Sequence, residues 1–107
     1  MKKRGDVWWI NFDPSVGQEV KKRRPAVIVS NNISNKFLKR YQVIPLSTRI
    51  DKIYPSETSI NLPKNTSKAM ADQLTTVGDL RFIKKIGIVT EDELKKIEEI
   101  IKLQLDL

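Results

Sequence analysis

Apolar and polar positions fall into short runs separated by proline, glycine and asparagine until residue 90, where the period changes. Val7-Trp8-Trp9-Ile10-Asn11-Phe12 is aromatic and β-branched and predicts a strand. Asp13-Pro14 ends it, because proline lacks an N–H and turns the preceding residue away from helix. Residues 15–24 are polar, contain Gly17 and Lys21-Lys22-Arg23-Arg24, and read as a loop. Pro25-Ala26-Val27-Ile28-Val29-Ser30 reads as a buried strand opened by a proline, and Asn31-Asn32 with Ser34-Asn35 as a turn. Tyr41–Leu46 is a further strand, with Pro45 expected at a strand end or bulge. A loop follows over 49–56. Thr58-Ser59-Ile60-Asn61-Leu62 then alternates and stops at Pro63. Residues 69–77 fit no single pattern, although Thr75-Thr76-Val77 favours strand. Gly78-Asp79 suggests a turn, Leu80-Arg81-Phe82 a short turn or helix, and residues 85–89 a last strand.

Over residues 90–105 the period is helical. Thr90 and Glu93 have capping-box spacing, and Glu91-Asp92-Glu93 suit the positive end of a helix dipole. Leu94, Ile97, Ile100, Ile101 and Leu105 share one face. The expected architecture is mainly β: five to seven short strands forming a small, strongly bent barrel with a C-terminal helix packed on it. A length of 107 residues gives a single domain spanning 1–107.

The chain has no Cys and no His, which removes disulfides, thiolate or histidine metal sites, cysteine nucleophiles and Ser-His-Asp triads. The acids are scattered without metal-ligand spacing, so no metal or cofactor is expected. No apolar run approaches the roughly 20 residues that span a bilayer. Gly5-Asp6 stands where a signal peptide would have its apolar stretch, so no membrane association and a cytoplasmic location are expected. Of the net charge of +7, all resides in residues 1–40, while residues 41–107 carry ten charges of each sign. An excess confined to one part of a small chain points to an anionic partner, and nucleic acid is the commonest.

Arg23-Arg24 precede a proline that fixes the local backbone, so a guanidinium there can meet a phosphate bidentately; the plain alternative is a pair of exposed loop cations. Ser47-Thr48 follow a strand end, where a hydroxyl can bond a phosphate or serve turn chemistry. Trp8 and Trp9 point to opposite faces of a strand: one belongs to the core, while the other packs on the helix, lies in an interface or stacks on a base. Glu19 is a candidate general base or a solvated acid, and Asp72-Gln73 offer base contacts or structural hydrogen bonds. An RNA 2′-hydroxyl can attack its own phosphate, so a protein acting on RNA need only position the chain, stabilise charge and assist proton transfer.

These residues together resemble the MazF/PemK toxin family. The resemblance rests on Arg4-Gly5-Asp6-Val7-Trp8-Trp9-Ile10-Asn11-Phe12-Asp13-Pro14, on Gly17-Gln18-Glu19, and on Arg24-Pro25-Ala26-Val27-Ile28-Val29-Ser30. It continues through Pro45-Leu46-Ser47-Thr48, Asp72-Gln73 and Arg81 to the terminal helix. It implies an SH3-like barrel, a homodimer, metal-independent cleavage of single-stranded RNA, and inhibition by an acidic MazE-like antitoxin that competes for the RNA groove. By resemblance, Arg24 acts at the scissile phosphate and either Ser47 or Thr48 supplies the hydroxyl that is usually a threonine. Glu19 is similar to a loop glutamate implicated in some members. Lys21, Lys22, Arg23, Asp72 and Gln73 would face the RNA. Met70 and Thr75 stand where members of the family carry arginines, which favours an Arg-plus-hydroxyl scheme over an Arg-Asp one. Two other functions fit the same fold: a CcdB-like toxin that binds DNA gyrase, and an RNA-binding module without cleavage.

Overall fold

The computed structural model describes residues 1–13 and 22–107; Glu19 and Lys21 lie outside the described residues. Among the described residues the chain forms β1 (Asp6–Asn11), β2 (Arg23–Ile28), α1 (Asn32–Leu38), β3 (Arg40–Ser47), β4 (Glu57–Asn61) and β5 (Thr66–Met70). A 3-10 turn (Ala71–Gln73), β6 (Thr75–Gly78), a second 3-10 turn (Asp79–Arg81), β7 (Phe82–Ile88) and α2 (Glu91–Leu105) follow. The strands make one antiparallel sheet in the order β4-β5-β3-β2-β1-β7, with β6 also on β3.

Pro45 lies within β3, two residues before the strand's last residue Ser47. The Val29 amide donates to the Gln42 carbonyl, so even-numbered residues of β3 turn their backbone groups toward β2 and odd-numbered ones toward the other edge. That other edge pairs with β6 as far as Val43 and with β5 from Leu46. The donor that Pro45 lacks therefore falls in the gap between two partners, where no ladder bond is lost. The Ala71–Gln73 turn links those two partner strands.

Alternation divides the core. Val7, Val27, Ile44, Leu46, Ile60 and Ala69 face α2 and pack with its Ile97 and Ile100. Ile10, Ala26, Ile28, Tyr41, Val43 and Val77 form a second cluster on the opposite face, flanked by Trp8, Phe12 and Phe82. The sheet curls without closing. A Cβ added at Gly87 of β7 would come within 3.9 Å of Leu62 and Pro63, in the turn between β4 and β5, so the two ends of the sheet approach there unpaired.

Two local expectations are corrected. The Asn- and Ser-rich segment after β2 is α1 rather than a turn: Asn31 caps it by accepting from the Ser34 amide at 2.8 Å, and buried Asn35 donates to the Ser30 carbonyl at 3.0 Å. Side chains that favour turns also serve as N-caps. In α2 the capping box of Thr90 and Glu93 forms, and Ile97 and Ile100 are buried, but Leu105 is exposed.

Several polar contacts hold the frame. Arg4 donates to the Val29 carbonyl and pairs with Glu98 of α2. Arg81 donates to the carbonyls of Asn11 and Asp13, fixing the exit of β1. Lys68, 6% exposed, reaches Glu57 at 2.9 Å and the Lys52 carbonyl at 2.9 Å, tying the β3–β4 loop to the sheet. Lys2 lies over the Trp8 and Phe82 rings, both 5.3 Å from its Nζ, and donates to Asp79 at 2.7 Å; the Tyr41 hydroxyl donates to the same oxygen at 3.1 Å. The Lys2 hydrogen bond holds the Asp79 carboxyl below its usual 3.8, and burial, with Asp79 nearby, raises the Tyr41 phenol above 10.0.

Removing one partner of the buried Lys68–Glu57 pair strands a charge. Lys68→Met is expected to cost about 3–5 kcal/mol in urea unfolding, and adding Glu57→Leu to recover most of it. Because Asp79 is lowered in the fold, its contribution is present above 3.8 and is lost as pH falls through the folded value. Because Tyr41 is raised, stability declines above 10.0, where the unfolded chain ionises first. Thermal unfolding against pH should therefore show a flatter acid limb in Asp79→Asn and a flatter alkaline limb in Tyr41→Phe.

Candidate nucleic-acid interface

β2 and β3 end together, and their register decides which candidate residues meet. Ala26–Pro45 is the last pair of the β2–β3 ladder; Arg24 lies two residues beyond it on β2 and Ser47 two residues beyond it on β3, with Arg23 and Thr48 one residue further out. Successive residues point to opposite faces, so the two Arg–hydroxyl pairs lie back to back on one ribbon.

Arg24 and Ser47 share the face of Ile10, which pairs with Arg24, and of Lys68, which pairs with Ser47. Ser47 is 9% exposed, and its Oγ accepts from the Arg49 amide at 3.2 Å, which leaves its own proton to donate. The Nε of Arg24 is buried and finds no hydrogen-bond partner among the described residues. A buried donor without a partner costs about 1–3 kcal/mol, more for a charged group, so an arriving anion would relieve it.

The other face opens into a cavity of about 670 Å³. Its floor runs across four strands: Lys84 of β7, Trp9 of β1, Pro25 of β2 and Leu46 of β3. Val7 and Val27, two residues from Trp9 and Pro25 on this face, are covered by α2; Trp9, 39% exposed, is not. Arg23, Thr48 and Ser67 form the rim toward the β2–β3 ends, and Lys22 and Arg24 also border it. The far wall is the β4–β5 turn with Leu62, Pro63 and Lys64, facing Lys85 and Ile86 of β7. Six of the lining residues are Lys or Arg and none is acidic. Lys85 has a carboxylate beside it, with Asp6 at 3.4 Å.

The remaining candidates divide. Lys22 has φ +60, and its amide donates to Asp13 at 2.9 Å. Asp72 and Gln73 lie in the 3-10 turn beside β3, away from the cavity; Asp72 is exposed and Gln73 half-buried. Met70 ends β5 and Thr75 begins β6. Sequence reasoning did not single out Lys68, Lys64, Lys84 or Lys85. The adjacent pair Lys84-Lys85 was a legible signal, whereas the burial of Lys68 was not. Among the described residues no group of three or more His, Cys, Asp or Glu is placed to hold a metal ion.

Comparison with known proteins places this geometry. The chain is 36% identical to the endoribonuclease MazF9 of Mycobacterium tuberculosis, over 100% of this chain and 98% of that one. It is 33% identical to the endoribonuclease toxin MazF of Escherichia coli K12, over 88% and 85% respectively. Among solved structures it is similar to MazF from Deinococcus radiodurans, with a TM-score of 0.86, 24% identity and 98% and 96% of the two chains covered. It is also similar to a mycobacterial endoribonuclease in complex with its cognate antitoxin, with a TM-score of 0.85, 23% identity and 100% and 97% covered. The family model for the PemK-like, MazF-like toxin of type II toxin-antitoxin systems matches residues 3–105, and the chain belongs to that family.

Proposed function

We propose that this protein is the toxin of a type II toxin–antitoxin pair, an endoribonuclease that cuts single-stranded mRNA in the cytoplasm without a metal and so arrests translation. The observation that carries the reading is that Arg24 and Ser47 share one face, each two residues beyond the last β2–β3 pair, with the buried Arg24 Nε lacking a partner among the described residues. The relatives named above are endoribonucleases, which disfavours the gyrase-binding and cleavage-free alternatives.

In the proposed step the 2′-oxygen attacks the adjacent phosphorus. A bond forms from the 2′-oxygen to phosphorus, and the bond from phosphorus to the 5′-oxygen breaks. The 2′-hydroxyl loses its proton and the leaving 5′-oxygen gains one, giving a 2′,3′-cyclic phosphate and a 5′-hydroxyl. Arg24 stabilises the charge that grows on the phosphoryl oxygens; as a guanidinium it stays protonated and acts through charge and hydrogen bonds. Ser47, its acceptor side occupied by the Arg49 amide, donates to the same group. Glu19 takes the role of proton acceptor. Asp72 and Gln73 bind RNA bases, and Lys21, Lys22 and Arg23 hold phosphates. The partners are a second copy of the chain and an acidic MazE-like antitoxin. Exposed Ile33 and Phe37 of α1, with Leu80 on the neighbouring 3-10 turn, offer an apolar surface for the former. The charge of +7 suits the latter.

A mixed-sequence RNA incubated with the protein in excess EDTA should be cut at selected sites to leave 5′-hydroxyl ends. Arg24→Ala should lower cleavage by about 10³-fold or more while the circular dichroism spectrum is kept. Products ending in a 5′-phosphate would overturn the mechanism. Ser47→Ala should lower the single-turnover rate by about 10²–10³-fold, and Thr48→Ala by much less; the reverse order would assign the hydroxyl to Thr48.

A further inference from the structure

Serine is unbranched at Cβ, so the Ser47 hydroxyl can occupy any of its staggered rotamers unless something outside the residue fixes it. Its Oγ accepts from the Arg49 amide at 3.2 Å, and its direction therefore depends on where that amide stands. Arg49 belongs to a stretch, residues 48–55, in which every residue is exposed. The core does not hold such a stretch, so hydrogen bonds decide its course. One of them is internal: the Ile50 amide returns to the Thr48 carbonyl at 2.9 Å. Anchorage to the sheet comes from a buried lysine. Lys68 of β5 donates to the Lys52 carbonyl at 2.9 Å, and its Nζ lies 5.3 Å from the centre of the Tyr54 ring. Glu57 of β4 pairs with Lys68 at 2.9 Å and accepts from the Tyr54 amide at 2.8 Å.

Lysine is seldom buried, and a buried ion pair often adds little over an apolar pair of similar size. Apolar side chains at 57 and 68 would hold β4 to β5 as well. They would supply no donor to the Lys52 carbonyl. In the β3–β5 ladder Lys68 is also the register partner of Ser47. One residue thus stands across from the hydroxyl and grips the loop whose amide orients it. From this arrangement we propose that Lys68 is a positioning residue for the Ser47 hydroxyl. By holding the Lys52 carbonyl it fixes the course of residues 49–52 and keeps the Arg49 amide on Ser47 Oγ. The inference rests on the endoribonuclease reading with Ser47 as the hydroxyl that meets the phosphate. It adds to that reading the group that sets the hydroxyl's direction. Lys68 acts through the loop and not through its charge, which Glu57 offsets.

The test combines Lys68→Met with Glu57→Gln. The second change removes the charge that would be stranded and keeps an acceptor for the Tyr54 amide. In this variant, shown to be folded by urea unfolding, the single-turnover rate at saturating RNA is expected to fall on the order of tenfold. Its affinity for a 2′-O-methyl oligonucleotide spanning a site that the wild type cuts should not change. The Arg49 amide should lose protection from hydrogen exchange in the same variant. In a chain that already carries Ser47→Ala, the two substitutions should lower the rate no further, because the group they position is gone. Should Lys68→Met with Glu57→Gln fail to fold, Lys68→Met with Glu57→Leu takes its place. The inference is overturned if the folded variant cuts at the wild-type rate, or if its loss lies in oligonucleotide affinity alone. It is equally overturned if the loss is as large in the Ser47→Ala chain as in the wild type, or if Ser47→Ala by itself cuts normally. Each of these outcomes leaves the endoribonuclease reading standing. A wild-type protein that cuts no RNA would remove the two readings together.

Discussion

Pro45 cannot donate a hydrogen bond, and β3, the strand that contains it, carries three partners. One edge of β3 follows β2 throughout its pairing. The other edge must change partner where the proline leaves a gap, from β6 to β5. β6 and β5 pair with successive stretches of that edge, joined by the Ala71–Gln73 turn, and the sheet curls. The two irregularities in the β1–β7 register add curvature at the far side. That bend brings β7 to the β4–β5 turn, yet leaves those elements unpaired. The helix α2 covers one part of the concave face, over Val7 and Val27, and the uncovered part beyond it is the cavity.

The same constraint sets the chemistry at the strand ends. Beyond the last β2–β3 pair, Ala26 with Pro45, Arg24 and Ser47 stand at equal distance on their strands, and Arg23 and Thr48 one residue further. The pleat then assigns one pair to each face. The Pro25 ring holds the β2 backbone at this point, so the arginine before it is presented in a restricted conformation rather than swinging on a loop. Less entropy is lost when a phosphate arrives, which is the usual advantage of a rigid rim over a mobile one.

The helical period after Thr90, the Trp-rich first strand and the apolar run after Pro25 were all legible in the sequence, because each rests on local spacing. Helix α1 was not. Asn31, Ser34 and Asn35 carry the same hydrogen-bonding capacity in a turn and in a capped helix, and only the burial of Asn35 against Ser30 separates the two. β5 was hidden for a different reason. Its Lys68 reads as a surface residue, and it is buried only because Glu57 of the neighbouring strand supplies the opposite charge. Of the candidate site, the shared face of Arg24 and Ser47 follows from a register that no single segment states. The cavity depends on the approach of Leu62 and Pro63 to β7, a contact between residues distant in sequence. Leu105 had the right period but is exposed at the end of α2.

The ion pair of Lys68 has a consequence for the face that holds Ser47. A cation directly across the strand from a candidate hydroxyl would ordinarily strengthen any anion site there. Here the ammonium is spent on Glu57 and the Lys52 carbonyl, so the pair is close to neutral as seen from Ser47. Met70 and Thr75 stand where the family carries arginines, and the buried Nε of Arg24 has no hydrogen-bond partner among the described residues. The opposite face is arranged the other way, with several cations and no acidic lining. In the proposed reading the exposed lysines of the cavity attract the RNA, while Arg24, which also borders that cavity, acts on the reacting phosphate. Salt screens the first far more than the second, because exposed lysines act through solvent and a half-buried Arg24 acts through contact.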